Sequence, residues 1–364
     1  MKILLITKER LTYNEAAPSR ILNLKKVLSE FHDIYIVAQR GGDVKEQGTF
    51  LVPKITDNIV LNQAFKMLLL LYSASISIFK KIDVYIARQY YLVPFIYPIS
   101  RLFGFKIYYD MHCFRYKELL VENKKIKSTL NKPIEILCHR LADKLLIISE
   151  GIYSDLSEKL KSKAIMLPNG VNLEDFNNPF STEEVLKKYK VPKDKPIILF
   201  LGNWMEWVDV ETFLESSRYV KNSTFLVIGK GYEKSSFKEM KEKYPNAIFT
   251  GKINHFEALN LLQHSDICIL PYKKADVVKH LSIRKTFEYL AAGKPIIMSD
   301  SNIHEKKFLE EGINILLYEA VNPVDLSNKI KTLLSNPSMM KKMSVNNKII
   351  SKKFSWKEVI LIAI

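Results

Sequence analysis

The chain has 364 residues, enough for two domains at about 150 residues each. Hydrophobic residues make up 47% and charged residues 26%, a globular balance that excludes a disordered or collagen-like chain. The net charge of +16 is shared equally between residues 1–178 and the remainder; it suits phosphate, anionic headgroups or nucleic acid without choosing between them.

Cys113, Cys138 and Cys268 lie far apart with no C-x-x-C pair, which excludes a disulfide scaffold and a cysteine zinc site and fits a reducing compartment. The start does not read as a signal peptide, because Lys8, Glu9 and Arg10 follow a short apolar run. The greasiest stretch, Met67 to Phe79, is shorter than the roughly 20 residues of a bilayer span and contains Ser73, Ser75 and Ser77. It reads as a buried or surface-lying helix, and the protein as cytoplasmic.

In chain order, short β-like runs fall at Lys2–Thr7, Ile34–Ala38, Val84–Arg88, Lys106–Asp110, Lys144–Ser149 and Ala164–Leu167. Amphipathic helices fall between them; over Ser19–Glu30, for example, Ile21, Leu24, Val27 and Leu28 share a face. Pro168-Asn169-Gly170 then breaks both patterns, and the turn-rich Asn177-Asn178-Pro179 follows. The scheme restarts with strands at Pro196–Gly202, Thr224–Gly229, Ala247–Thr250, Ile267–Pro271, Pro295–Ser299 and Asn314–Leu317. Apolar strands alternating with helices predict parallel sheets covered on both faces, hence an α/β chain of two doubly wound, Rossmann-like domains. The boundaries predicted are 1–167, a linker 168–177, a second domain 178–340, and a C-terminal helix within 341–364 that crosses back to the first domain.

The most informative segment is S-I-R-K-T-F-E-Y-L-A-A-G-K-P-I-I, Ser282 to Ile297. Ser282 is placed to cap a helix, Ile283, Phe287, Leu290 and Ala291 form its apolar face, and Gly293 ends it. A helix N-terminus has free N–H groups and a positive dipole end, so it binds phosphate. Glu288 lies about 9 Å along the axis from Ser282, roughly the span from a diphosphate to a ribose. One helix could hold both parts of a nucleoside diphosphate, with Lys285 on the phosphates. The alternative is a surface helix with Arg284 and Glu288 as an i,i+4 ion pair.

F-E-Y-L-A-A-G-K-P-I-I preceded by S-x-x-K resembles the donor-site motif of glycosyltransferase family 4, retaining enzymes of GT-B architecture that use nucleotide sugars. L-P-N-G-V-N-L-E-D-F from Leu167, I-L-F-L-G-N-W from Ile198, G-K-I-N from Gly251, H-S-D-I-C-I-L-P-Y from His264, Y-Y-D-M-H from Tyr108 and A-A-P-S-R from Ala16 match other segments of that family in order. The resemblance implies two Rossmann-like domains facing a cleft, the nucleotide in the C-terminal one. It implies that Glu288 binds the donor ribose, that Lys285 and the backbone around Ser282 face the diphosphate, and that Gly202 and Asn203 lie against the phosphates. It further implies that the Lys252–Ile253 backbone reads the base, that His112 reaches the donor sugar, and that Ala16, Ala17 and Arg20 line the acceptor side.

Three positions depart from the pattern. His280 stands where the family usually has a glutamate that touches the donor sugar. Val208 and Asp209 stand where it tends to have a Lys and a Gly. Arg284 and Lys285 are the cations left to substitute.

The expectation is therefore a hexosyl transfer with retention, from a UDP- or GDP-type sugar to a hydroxyl of a glycan or lipid-linked acceptor, in cell-surface polysaccharide or glycoconjugate synthesis. No cofactor and no metal are expected. The rival of another class is a catalytically silent subunit of the same architecture that scaffolds a partner transferase. A nucleic-acid binder lacks an aromatic platform within a basic motif. Met67–Phe79, Tyr90–Phe105 and Lys124, Lys125, Lys127 and Lys132 suggest peripheral contact with an anionic membrane, the other reading being core helices.

Overall fold

The computed structural model describes residues 1–13, 15–53, 59–176, 182–231, 234–301 and 307–363. The chain forms two compact units, Met1–Pro168 with the closing segment Val359–Ile364, and Asn169–Glu358. Of the segment 341–364, residues up to Glu358 thus cluster with the second unit. The turn expected at Asn177-Asn178-Pro179 lies outside the described residues.

Seven strands build the first unit: β1 (Lys2–Arg10), β2 (Asp33–Gln39), β3 (Thr49–Val52), β4 (Val84–Ala87), β5 (Lys106–Met111), β6 (Lys144–Ile147) and β7 (Ala164–Met166). Their order is β3-β2-β1-β4-β5-β6-β7, every neighbour parallel. The order changes direction between β1 and β4, and doubly wound sheets bind ligands beyond the carboxyl ends of strands at such a point. The helices are α1 (Ala16–Leu28), α2 (Ile59–Phe79), α3 (Val93–Phe103), α4 (Arg115–Val121) and α5 (Lys125–Leu141). α1 packs on β1 and β2, α2 on β1 and β3, and α3 lies beside both α2 and α5. Leu4, Ile6, Tyr85, Ile107 and Ile147 sit in the core, where each buried side chain contributes about 1.5–3 kcal/mol.

Six strands build the second unit: β8 (Ile197–Leu201), β9 (Thr224–Ile228), β10 (Ala247–Gly251), β11 (Ile267–Leu270), β12 (Ile296–Ser299) and β13 (Ile315–Tyr318). The order β10-β9-β8-β11-β12-β13 is again all parallel and changes direction between β8 and β11. β8, β9, β11 and β12 are buried at every residue, as strands covered on both faces must be. The sequence marks all of these strands except β3, a four-residue edge strand.

The α2 helix is longer than the apolar stretch that signals it. It buries Leu69, Leu70, Ser73 and Ser77 and exposes Met67, Leu68, Leu71 and Phe79. Among the described residues no helix is long and apolar enough to cross a membrane.

Gly229 ends β9 at φ +139, where a Cβ would lie 1.9 Å from the carbonyl oxygen of Gly202. The two strand ends approach closely only because this residue has no side chain. Gly229→Ala should cost about 1–3 kcal/mol or more, since the clash is with backbone and the conformation disfavours a side chain. Urea unfolding of the variant measures this; an unchanged midpoint would contradict the packing described.

Candidate functional site

In the second unit the site is built where β8 and β11 part. The Gly202–Asn203 turn leaves β8 laced to the neighbouring turn, with the Gly202 N–H donating to Ile228 O and the Trp204 N–H to Lys230 O, each at 2.9 Å. The next turn is tied to the exit of β11. Asp209 N–H donates to Pro271 O at 2.8 Å, Lys273 N–H to Trp207 O at 3.0 Å, and Val208 bridges Tyr272. These turns and the start of the helix Arg284–Ala291 line an open cavity of about 200 Å³, with Gly202, Asn203, Trp207, Tyr272, Ser282 and Lys285 among its walls.

The helix begins one residue later than its sequence suggests. Ile283, with extended backbone, occupies the cap position and makes no side-chain cap. Ser282 is engaged elsewhere, its Oγ accepting from the Asn169 N–H at 3.2 Å and its carbonyl from Asn169 Nδ2 at 2.8 Å. Gly293, at φ +64, closes the far end with 2.9 and 3.0 Å bonds from Gly293 and Lys294 N–H to Leu290 and Tyr289 carbonyls.

Glu288 is 2% exposed. Lys285 Nζ donates to its Oε2 at 2.7 Å, and Arg284 Nε lies 2.8 Å from Oε1. The latter contact is not aligned as a hydrogen bond, so Oε1 keeps an unused acceptor position. Burial pushes the carboxyl up, but Lys285, Arg284 and His255 outweigh it and hold its pKa at about 2. Burial pushes Lys285 down, Glu288 opposes and Arg284 adds to the depression. The ion pair of the alternative reading is therefore present, but the helix is no surface helix: Thr286 to Ala291 are all buried.

Gly202, Asn203, Ser282, Arg284 and Lys285 line one cavity, with Glu288 bound to two of them. Lys252, exposed, and Ile253, half-buried, follow β10 away from its wall, and His280 is buried in the turn Val278–His280, also off the wall. Asp209 caps the helix Val210–Ser216, its Oδ1 accepting from the Thr212 N–H at 3.1 Å, and Val208 lines the cavity. Neither supplies a positive charge. Sequence reasoning missed the walls Met205, Trp207 and Tyr272, although the two tryptophans of N-W-M-E-W and the Tyr closing I-L-P-Y were visible signals.

In the first unit a buried carboxylate again organises the strand ends. Asp110, near the end of β5, is fully buried. Arg20 on α1 brings Nε to 3.2 Å from both its oxygens and Nη2 to 2.9 Å from Oδ1, and donates its other N–H groups to Leu167 O at 2.8 Å and Pro168 O at 3.0 Å. Arg20 is 1% exposed, so it does not line an open acceptor surface as the sequence suggested; its charge is spent on Asp110 and on the carbonyls after β7. Ala17 is half-buried in the first turn of α1, and the side chain of Ala16 lies outside the described residues.

His112 Nε2 lies 2.9 Å from Asp110 Oδ2 and 2.7 Å from Arg88 Nη1, which is also 3.7 Å from Asp110. Arg88, at the end of β4, was not foreseen. Burial raises Asp110, but Arg20, His112 and Arg88 hold it far below the usual carboxylate range. Burial and then Arg88 push His112 down to about 4, against the pull of Asp110. The imidazole is neutral at pH 7 and able to accept or donate one hydrogen bond through Nε2, not both.

Two all-parallel doubly wound units, one with a glycine turn facing a cationic helix start, define the GT-B class of fold. Residues 181–349 match the family Glycosyl transferases group 1. An uncharacterized glycosyltransferase of Methanocaldococcus jannaschii is 27% identical over 226 residues, 60% of this chain and 58% of its own length. Alpha-monoglucosyldiacylglycerol synthase of Acholeplasma laidlawii is 22% identical over 250 residues, 65% of this chain and 59% of its own length. The chain thus spans less than two thirds of these curated relatives. Among solved structures, Anabaena HepE in complex with UDP-glucose superposes with a TM-score of 0.77 at 13% identity, over 100% of this chain and 97% of that one.

The folded His112 takes up a proton near pH 4, an unfolded chain near 6.5, so its contribution to stability falls as pH drops through that window. In NMR titration His112 should stay neutral between pH 5 and 8, and Arg88→Met should raise its pKa. A wild-type midpoint near 6.5 would contradict this electrostatic arrangement.

Proposed function

We propose that the protein is a retaining, metal-independent hexosyltransferase acting at the cytoplasmic face of a membrane. It moves a sugar from a UDP- or GDP-type donor to a hydroxyl of a glycan or lipid-linked acceptor in surface polysaccharide or glycoconjugate synthesis. The observation that carries the reading is the cavity between the Gly202–Asn203 turn and the helix start, with Lys285 and Arg284 at its wall and ionised Glu288 behind them. At about 200 Å³ it is smaller than the 300–1,000 Å³ usual for a whole ligand, and suits the diphosphate alone. The UDP-glucose bound by Anabaena HepE supports a nucleotide-sugar donor.

In this reading the chemistry is electrostatic. The acceptor oxygen bonds to the sugar carbon as the sugar–phosphate bond breaks, negative charge collects on the departing diphosphate, and that phosphate takes the hydroxyl proton. Lys285, Arg284 and the first helix N–H groups meet that charge, and one such preorganised contact is worth about 2.7–4 kcal/mol. Glu288 opposes the effect of burial on Lys285 and offers Oε1 to ribose hydroxyls. Lys252 and Ile253 offer backbone to the base, and neutral His112, its Nε2 engaged by Arg88 and Asp110, offers Nδ1 to the donor sugar. One observation favours a second reading, the catalytically silent scaffold: Val208 and Asp209 bring no cation to the cavity.

Glu288→Gln keeps the shape of the side chain and removes its charge, so it should weaken UDP binding about tenfold or more. Calorimetry with UDP on a variant that melts like a folded protein decides this; unchanged affinity would return Glu288 to a purely structural ion pair. UDP binding with no turnover of any UDP- or GDP-sugar would favour the scaffold.

The membrane contact is proposed from α2, α3 and α5. Ile126, Leu130, Ile134 and Leu137 are exposed at helical spacing along α5, and Phe95 and Leu102 are exposed on the neighbouring α3. Ile126 is 79% exposed, and Leu102 at 78% does not fit the core-helix reading of its stretch. Lys125 and Lys127 flank the stripe in solvent, whereas Lys124 pairs with Glu122 and Lys132 lies over the Tyr116 ring. Apolar side chains rimmed by lysine complement an anionic headgroup layer, each Lys adding about 1 kcal/mol. The glycolipid product named for the Acholeplasma relative supports a lipid-borne acceptor. The protein should float with anionic liposomes at low salt, and Ile126→Glu with Leu130→Glu should release it. A wild-type chain that stays in the soluble fraction would contradict the membrane contact.

A further inference from the structure

The direction change between β1 and β4 carries polar groups that the donor reading leaves unused. Glu9, near the end of β1, accepts through Oε2 from Gln89 Nε2 at 3.3 Å and from Thr7 Oγ1. Gln89 and Tyr91 lie just beyond β4. Gln89 is 6% exposed, yet its Oε1 is buried and accepts no hydrogen bond. The Tyr91 hydroxyl is also buried without a partner. Burial and then the charge of Glu9 push that phenol up, which places the carboxylate and the hydroxyl in one neighbourhood. Lys66 Nζ lies 5.2 Å from the Tyr91 ring centroid, and the Tyr90 ring meets Tyr91 edge-on at 5.8 Å.

A buried polar group without a partner costs about 1–3 kcal/mol, so two of them two residues apart at a ligand-binding position of the fold need an explanation. The missing partner must donate to Gln89 Oε1 and tolerate the carboxylate of Glu9. A fully ionised phosphate or a second carboxylate has no hydrogen to donate to Gln89 Oε1 and is repelled by Glu9. An acyl chain would leave both orphans unsatisfied. A sugar ring satisfies every requirement: each hydroxyl both donates and accepts, and its C–H face suits an aromatic ring. Arg88 feels the charges of both Asp110 and Glu9, so this polar set adjoins the His112 network.

We infer that Glu9, Gln89 and Tyr91 form a subsite for a neutral hexose ring, and that the group receiving the transferred sugar is itself a carbohydrate rather than glycerol or a bare lipid alcohol. The assignment of this subsite to the acceptor rests on the transferase reading above. Gln89 Oε1 and Glu9 accept from adjacent ring hydroxyls, and Tyr91 completes the set with its hydroxyl and its ring.

Saturation-transfer NMR on the full chain tests this with methyl glucosides, methyl galactosides and methyl N-acetylglucosaminides, and with glycerol at the same concentration. Saturation should reach at least one hexoside and not glycerol. It should fall about fivefold or more in Gln89→Leu and in Glu9→Gln, the loss of one hydrogen bond each. Tyr91→Phe, which removes only an oxygen, provides a third variant should either of the others fail to fold. No transfer to any hexoside, equal transfer to glycerol, or transfer unchanged in the folded variants would overturn the subsite. UDP calorimetry on the same samples separates the two proposals: wild type that binds UDP but no hexoside sinks the subsite alone, and wild type that binds hexosides but no UDP sinks the donor reading.

Discussion

A carboxylate buried between two cations anchors the cavity end of the helix Arg284–Ala291. Glu288 is removed from water, and such a group would take up a proton were Lys285 and Arg284 not beside it. The three charges occupy the first turns of one helix, so they also fix which end of that helix faces the cavity. Every other feature of the site is arranged around this end. Gly229 lets the β9 exit close on the Gly202 turn, Val208 and Tyr272 join the β8 and β11 exits, and Asn169 holds Ser282. Two cations against one carboxylate leave a net positive charge at the cavity wall.

The first unit solves a similar problem with a different remainder. Asp110 is neutralised by Arg20, whose other donors close the carbonyls after β7. Arg88 stays close to both Asp110 and His112, and burial together with its charge keeps the imidazole neutral. What remains at these strand ends is a surplus of acceptors, Glu9 and Gln89, where the second unit has a surplus of donors. An anionic leaving group and a hydroxyl-rich ring are complementary to these two surpluses respectively.

Most of the fold was legible because parallel strands buried on both faces must read as unbroken apolar runs, as at Ile197–Leu201 and Thr224–Ile228. Thr49–Val52 escaped because an edge strand of four residues buries only Val52 and has no run to display. Gly202, Asn203, Ser282, Arg284 and Lys285 share one cavity because motif spacing fixes them along the backbone. Side-chain direction was not legible. Ser282 looks like a cap yet bonds to Asn169, and Arg20 looks available yet is enclosed by Asp110, Leu167 and Pro168. Arg88, Gln89 and Tyr91 meet Glu9, Asp110 and His112 only once three strands lie side by side, and sequence separation hides that meeting.

The start of the helix Arg284–Ala291 is proposed to hold a diphosphate. Phosphorus NMR of UDP titrated with the protein reads that position directly. Both diphosphate resonances should shift and broaden with wild type and return toward their free positions with Lys285→Met. Resonances that shift equally with both proteins, or that do not respond to wild type, would contradict it.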